Sequence, residues 1–202
     1  MNDPLTVPAA IEARRSIRRY TDAPVPDADL RRIVELAGLA PSANNVQPWR
    51  FVAVRDPAVK ERLKAAAFNQ AQVGAAPVVF VVYSDMLDAL ETIESVVHPG
   101  LPAERAAATV NNLRGTFGAK SDADREAWGN AQSYLAVGFL LLAAQSLGYA
   151  TSPMLGFNPA AVKELLGIPA HATVPALVAM GVAAEDGFPH HRHPVDRVLR
   201  VV

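Results

Sequence analysis

Cysteine is absent from the 202 residues of this chain. That excludes a disulfide framework, a thiol nucleophile and a thiolate metal site, and it fits a reducing, cytoplasmic setting. Aromatic residues are scarce at 6%, so alanine, valine and leucine must fill the core. The formal net charge is −1, which argues against a general nucleic-acid binder. No run reaches the ~18 uninterrupted apolar residues of a membrane span. The nearest, Tyr134 to Leu147, is shorter and contains Gln145 and Ser146. Met1-Asn2-Asp3-Pro4 begins acidic with no apolar stretch behind it, so no signal peptide is expected.

What is present suits a folded enzyme-sized domain. Half the residues are hydrophobic and 19% are charged, which argues for a core and against disorder. No repeat or linker divides the chain, so a single domain over residues 1–202 is expected. Pro8–Arg14 reads as a first helix, and Asp27–Gly38 as a second with Leu30, Ile33, Val34 and Ala37 on one face. Arg50–Arg55 alternates like a half-buried strand, and Asp56-Pro57 opens a helix to about Ala67. Pro77–Tyr83 and Val174–Val182 are β-branched runs expected of central strands. Asp85–Lys120 reads as helical with breaks at Pro99–Pro102 and Gly115. Asp124–Gln145 is apolar nearly all round from its middle onward, which demands burial on every side, one of them available to a second subunit. Gly148 ends it, Tyr149–Pro153 suits a short strand, and Asn158-Pro159 opens a helix to Leu166. Helices and strands mix without strict alternation, which favours α+β.

Two runs carry the chemistry. Arg14-Arg15-Ser16-Ile17-Arg18-Arg19 places four guanidinium groups and a hydroxyl within six positions of an almost neutral chain. Planar Arg forks match phosphate oxygens bidentately, so a phosphate is the expected anion. The bland alternative is a solvated basic turn with carboxylate partners from the same chain. Pro41-Ser42-Ala43-Asn44-Asn45-Val46-Gln47-Pro48-Trp49 is rich in amides, which can read the donor and acceptor edge of a polar ring. It could equally be a polar connection that caps neighbouring backbone. His190-His191-Arg192-His193 near the C-terminus invites a metal reading. Consecutive imidazoles rarely converge on one ion and no carboxylate lies among them, so no metal is expected there. Arg192 is the better phosphate contact, with His191 and His193 solvated. Asp122, Asp124 and Glu126 lie near a helix start and read as structural, and Trp128 as core.

These motifs resemble those of the nitroreductase family of flavoproteins, from about Val7 to Val202. Arg14, Arg15, Ser16 and Arg18 match its first signature. Pro41, Ser42, Asn45, Gln47, Pro48 and Trp49 match its second, with Ala43 in place of a serine. Pro153-Met154-Leu155-Gly156-Phe157 matches a third, and His190-His191-Arg192-His193-Pro194-Val195-Asp196 a fourth. The resemblance implies an α+β fold with a central mixed β-sheet flanked by helices, in an intertwined homodimer with FMN at the subunit interface. Arg14, Arg15, Ser16 and Arg18 would hold the phosphate, ribityl chain and pyrimidine end, with His190 and Arg192 adding to the phosphate site. Pro41, Ser42, Asn45 and Gln47 belong to the loop that would reach the same flavin from the other subunit. Asn69 or Gln70 would touch the pyrimidine edge. Pro153, Met154, Leu155 and Gly156 would line the ring, the last two offering backbone N–H groups.

The activity implied is reduction of nitroaromatic, quinone or related electron-poor acceptors by NAD(P)H in a ping-pong scheme. FMN would carry the chemistry, so no side chain is expected to act as acid, base or nucleophile. The alternatives are a specialised dehydrogenase, dehalogenase or flavin-cleaving enzyme, and a non-catalytic flavin-binding protein. His190 stands where lysine is usual, so phosphate affinity is expected to weaken as the ring loses its proton with rising pH.

Overall fold

The computed structural model describes residues 4–202; the N-terminal reading on Met1-Asn2-Asp3 lies outside the described residues. Four strands form one sheet in the order β1-β2-β4-β3: β1 Trp49–Val54, β2 Val78–Ser84, β3 Ala150–Met154 and β4 Thr173–Gly181. All three ladders are antiparallel. The sheet was expected to be mixed; the parallel contribution is an isolated bridge between Ser16 and Thr151, with Ile17 N–H donating to the Thr151 carbonyl at 3.0 Å.

The β-branched runs alternate between two cores. Val78, Phe80 and Val82 of β2, with Ala176, Val178 and Met180 of β4, pack on α2 (Asp27–Gly38) and α7 (Asp122–Ser146). Val79, Val81, Leu177 and Ala179 point the other way, onto α3 (Pro57–Ala66) and α8 (Pro159–Leu166). The period of two thus serves two apolar faces, which is why both strands read as continuous hydrophobic runs. Each fully buried Val, Leu or Phe contributes about 1.5–3 kcal/mol.

The helix signals lie where the caps are. Asp56 accepts from Val59 N–H, Ser121 from Asp124 N–H, and Asn158 from the N–H groups of Ala160 and Ala161, opening α3, α7 and α8. Thr6 does the same for α1 (Val7–Ala13). Such caps contribute about 1 kcal/mol each. A short helix, α4 (Ala71–Ala75), precedes β2 and lacks a side-chain cap, which leaves it invisible to sequence patterns. Between β2 and α7 the chain makes an excursion: α5 (Met86–Glu91), a 3₁₀ turn at Ile93–Ser95, and α6 (Ala103–Gly118). The break at Pro99–Pro102 is present, but α6 runs through Gly115 without interruption. Leu113 and Phe117 on either side of Gly115 are buried against the satellite core, and that packing carries the helix past a weak residue.

The long helix α7 packs against α1, α2 and all four strands. Its buried stripe includes Ala136, Val137, Leu140, Ala143 and Ala144. It is not covered on every side within the chain, because Tyr134, Leu135 and Phe139 remain more than 40% exposed. Beyond β4 the chain crosses to the first segment, and a last turn, α9 (Val195–Val198), sits in a wholly exposed tail.

Candidate functional site

The Arg14–Arg19 segment runs beside β3 and is fixed from both sides. The Ser16–Thr151 bridge ties it to the sheet. Glu185, in the bend that follows β4, accepts from the N–H groups of Arg18 (2.7 Å) and Arg19 (3.2 Å) and from Arg19 Nε at 2.9 Å. These bonds, the Arg18 backbone contact first, hold the Glu185 carboxyl below the usual carboxylate range. The bland reading therefore holds for Arg19, whose carboxylate partner is Glu185.

Arg14 behaves differently. Its Nη1 is buried and makes no hydrogen bond among the described residues. Burial, then repulsion from Arg192 and Arg15, lowers its pKa. A desolvated guanidinium nitrogen without an acceptor is costly, of order 1–3 kcal/mol or more, unless something supplies oxygens to it. A cavity of about 200 Å³ lies there, lined by Arg14, Arg15, Ser16, Arg18, His190 and Arg192 with Phe188 and Pro189. A second hollow of about 500 Å³ continues from it past Ser16, Arg18 and Phe188. The tail and the first segment thus meet, Arg15 and His190 being 175 residues apart in sequence.

Two neighbours refine the arrangement. Arg15 Nη1 lies 2.6 Å from His190 Nε2. A guanidinium has no lone pair to offer, so it can only donate in this contact. His190 thus stands at the cavity wall beside Arg15. Gly187, at φ 71°, passes so close to the segment that a Cβ there would lie 2.8 Å from Ile17 Cδ1 and 3.0 Å from Arg15 Cβ. Neither Glu185 nor Gly187 belongs to a legible motif. A glycine directly before the Phe188–Arg192 stretch was the one available signal.

The third signature closes the same region. Met154 ends β3 and is buried, while Leu155 beyond it is 68% exposed. Gln70 Nε2 donates to the Gly156 carbonyl at 2.7 Å, and Gln70 Oε1 accepts from Gln72 Nε2. Gln70 is therefore spent on shaping the turn. Asn69 beside it is exposed, at φ 58°. Pro153 is exposed on β3, three residues after Ala150.

Pro41, Ser42, Asn45 and Gln47 sit elsewhere. Their loop leads into β1, at the opposite edge of the sheet from β3, about 14 Å away across three strand spacings. Asn44, Asn45 and Gln47 have φ of 54°, 58° and 47°. Ser42 Oγ accepts from Gln47 N–H at 3.0 Å, Gln47 Nε2 donates to the Asn45 carbonyl at 3.4 Å, and Asn45 Nδ2 donates to the Val96 carbonyl at 2.7 Å. Gln132 Oε1 on α7 accepts from Ala43 N–H at 3.0 Å. Asp85 N–H donates to the Pro48 carbonyl at 2.8 Å. Among the described residues, no hydrogen bond joins this loop to the arginine cavity.

Next to the loop lies a polar trio of two buried carboxylates and a half-buried histidine. Asp85 Oδ1 caps α5 and lies 2.9 Å from His171 Nε2. Glu126, 1% exposed, accepts from Met86 N–H at 2.7 Å. Burial, with Asp85 adding to it, raises the Glu126 pKa against the pull of Ser84 and the Met86 N–H. The three groups stand close enough to hold a cation, but Asp85 Oδ1 and Glu126 Oε1 are committed to backbone N–H groups, so the trio reads as a fastening. Glu126 is structural as expected, though through burial and not through the helix dipole.

A profile described as the Nitroreductase family matches residues 11–182. A "NADH dehydrogenase" of Thermus thermophilus is 51% identical over 186 residues, 92% of this chain and 91% of its own length. A Bacillus subtilis protein with the provisional name NAD(P)H nitroreductase YdgI is 34% identical over 200 residues, 93% of each chain. A crystal structure of a provisionally named nitroreductase from Exiguobacterium sibiricum, in complex with FMN, superposes at a TM-score of 0.90 and 28% identity, covering 100% of this chain and 99% of the other.

Proposed function

The chain belongs to the nitroreductase family, a family of oxidoreductases, and on that premise we propose that it is an FMN enzyme in which NAD(P)H reduces nitroaromatic, quinone or related electron-poor acceptors. The observation that carries this reading is the buried, unpartnered Arg14 Nη1 in a cation-lined cavity. The donor set fits a phosphate monoester: a guanidinium lacking its acceptor, a hydroxyl at Ser16, and the imidazole of His190 at the cavity wall. A flavin relative is supported by the FMN complex of the Exiguobacterium protein, and a nicotinamide donor by the names of the Thermus and Bacillus relatives.

The chemistry FMN supplies when bound is exchange of hydride between nicotinamide and acceptor, in two successive half-reactions at one site. The residues of the chain bind and tune. Arg14, Arg15, Arg192, Ser16 and His190 hold the phosphate end by charge-assisted hydrogen bonds. Arg18, its backbone fixed by Glu185, lines the continuing hollow and would stabilise negative charge on a flavin ring held there. Leu155 and Gly156 offer backbone N–H groups to the ring edge, and the exposed Leu155 side chain excludes water from it. Asn69 supplies the free amide for the pyrimidine edge.

Pro41, Ser42, Asn45 and Gln47 complete the site in a homodimer, each loop serving the flavin of the partner. Support comes from the separation of loop and cavity across the sheet, and from the uncovered Leu135 and Phe139 on α7. Among the described residues β1 has a neighbour on one side only, and the tail ends in exposed Val198, Leu199, Val201 and Val202. An open strand edge and an apolar tail are complementary surfaces for a short exchange between protomers. Residues 1–202 would form one domain in each.

Anaerobic stopped-flow mixing with NADH and with NADPH tests the reading. Rapid bleaching of bound flavin, restored by a quinone or nitroaromatic, is expected. Flavin that stays oxidised with both nicotinamides would favour a binding protein, and protein that neither purifies yellow nor takes up FMN would end the proposal.

A further inference from the structure

The loop Ser42–Gln47 holds three non-glycine residues at positive φ. Each costs about 1–2 kcal/mol relative to ordinary backbone and persists only where surrounding contacts over-determine it. The 3₁₀ turn at Ala43–Asn45 has no side-chain cap of its own, because the hydroxyl of its N-cap, Ser42, is occupied by Gln47 N–H. The first N–H of the turn, that of Ala43, is met by a residue 89 positions away: Gln132 on α7, at 3.0 Å. Ala43 itself has no hydroxyl with which to hold the turn in another way.

We propose that Gln132 is a positioning residue for the flavin loop, acting through the Ala43 N–H to set where Ser42 and Asn45 stand. This rests on the proposed function above. Gln132 lies at helical spacing from Leu135 and Phe139, the uncovered residues of α7. The same face of α7 that would meet the second protomer therefore also grips the loop that the second protomer's flavin needs. The other grips, Val96 on Asn45 and Asp85 on Pro48, come from the excursion after β2. Gln132 is the one that ties the loop to the long helix, so dimer assembly and loop geometry share one element. Ala43 is exposed, so water can satisfy its N–H when the glutamine is removed. Loss of Gln132 should consequently move the loop while leaving the fold intact.

FMN titration of apoprotein, followed by quenching of flavin fluorescence, distinguishes the outcomes. Gln132→Leu should weaken FMN binding about fivefold, the effect of one neutral hydrogen bond, and should alter the visible circular dichroism of the bound flavin. Gln132→Glu retains an acceptor oxygen and should restore both. Gln132→Ala serves if the leucine variant does not fold. Wild-type affinity and spectrum in the leucine or alanine variant overturn the inference, as does equal weakening in leucine and glutamate variants, which would assign the effect to side-chain shape. Arg14→Ala separates the two levels: if it loses FMN while Gln132→Leu does not, the positioning role falls and the flavin site stands. If wild type takes up no FMN, both fall.

Discussion

Arg14–Arg19 and Pro41–Pro48 flank the same helix, α2, and both are polar, yet they treat their donors in opposite ways. In the first segment one buried guanidinium nitrogen has no acceptor, and Arg192 adds repulsion. In the second, the Ala43, Gln47 and Asn45 donors are each met by the protein, and the unusual feature is the backbone at positive φ. Unmet like charge points to a ligand that brings the missing oxygens. Met donors around a strained turn point to a shape held ready. The two ends of the proposed site therefore depend on different physics, electrostatics at β3 and conformational strain at β1, and perturbations should separate them.

The largest expected separation is at Arg14. Arg14→Ala removes the unpartnered nitrogen together with the phosphate contacts assigned to it. With about 1.5–3 kcal/mol for each charged hydrogen bond, the FMN dissociation constant should rise roughly a hundredfold. Folding stability should be unchanged or slightly higher, since the variant also removes a buried, repelled charge. Thermal melts of the apoprotein with calorimetric FMN titration check this. Full flavin retention would show that the arginine cavity is a structural basic turn.

Next comes Glu126, under the loop end. Glu126→Ala leaves the Met86 N–H buried without its acceptor and should cost about 1–3 kcal/mol of stability, with the FMN phosphate contacts intact. Its pH dependence has a definite sign. Burial raises the carboxyl pKa in the folded state, so the folded protein holds this proton more tightly than the unfolded chain. The stabilisation is complete below the ordinary carboxylate pKa and is lost as pH climbs through the raised value. Glu126→Gln keeps an acceptor for Met86 and cannot titrate, so its melting temperature relative to wild type should rise across that window. A constant offset at every pH would show that Glu126 does not titrate there. Glu185 gives the opposite sign at the cavity end: its lowered pKa means that the grip on Arg18 and Arg19 weakens only in acid, as the carboxyl takes up a proton.

The contrast between the two ends also explains what could be seen in the sequence. Asp27–Gly38 and Pro159–Leu166 were legible to the residue because acidic first-turn residues or an Asn-Pro start mark them. The strands were legible because β2 and β4 bury both faces. The arginine cluster was legible because four cations in six residues of a neutral chain have few structural uses. The resemblance to a known family supplied the link between that cluster and His190 and Arg192, which spacing across 170 residues does not contain. Glu185, Gly187 and Gln132 were not legible, since each acts through tertiary contact and none stands in a local pattern. Nor was the hydrogen bond from Gln70 to the Gly156 carbonyl, which joins residues 86 positions apart. The expected break at Gly115 failed for a related reason: local propensity is weak beside the burial of Leu113 and Phe117.

Gly187 offers the finest test, because it changes the cavity without touching a charge. Its φ of 71° suits glycine, and an alanine Cβ would press on Ile17 Cδ1 and Arg15 Cβ. The Ile17 methyl can rotate away, but Arg15 Cβ is fixed to a backbone that the sheet bridge and Glu185 both hold. Gly187→Ala should therefore lower stability by about 1–2 kcal/mol, from the left-handed backbone and the crowding together. It should also push Arg15 off His190 and weaken FMN binding several-fold, less than Arg14→Ala because the arginines remain. If the cavity works by electrostatics alone, tolerant of where its charges stand, affinity will be unchanged although stability falls. If it needs its donors in register, as bidentate phosphate recognition does, affinity and stability will fall together, and high salt will weaken FMN binding in wild type more than in the variant.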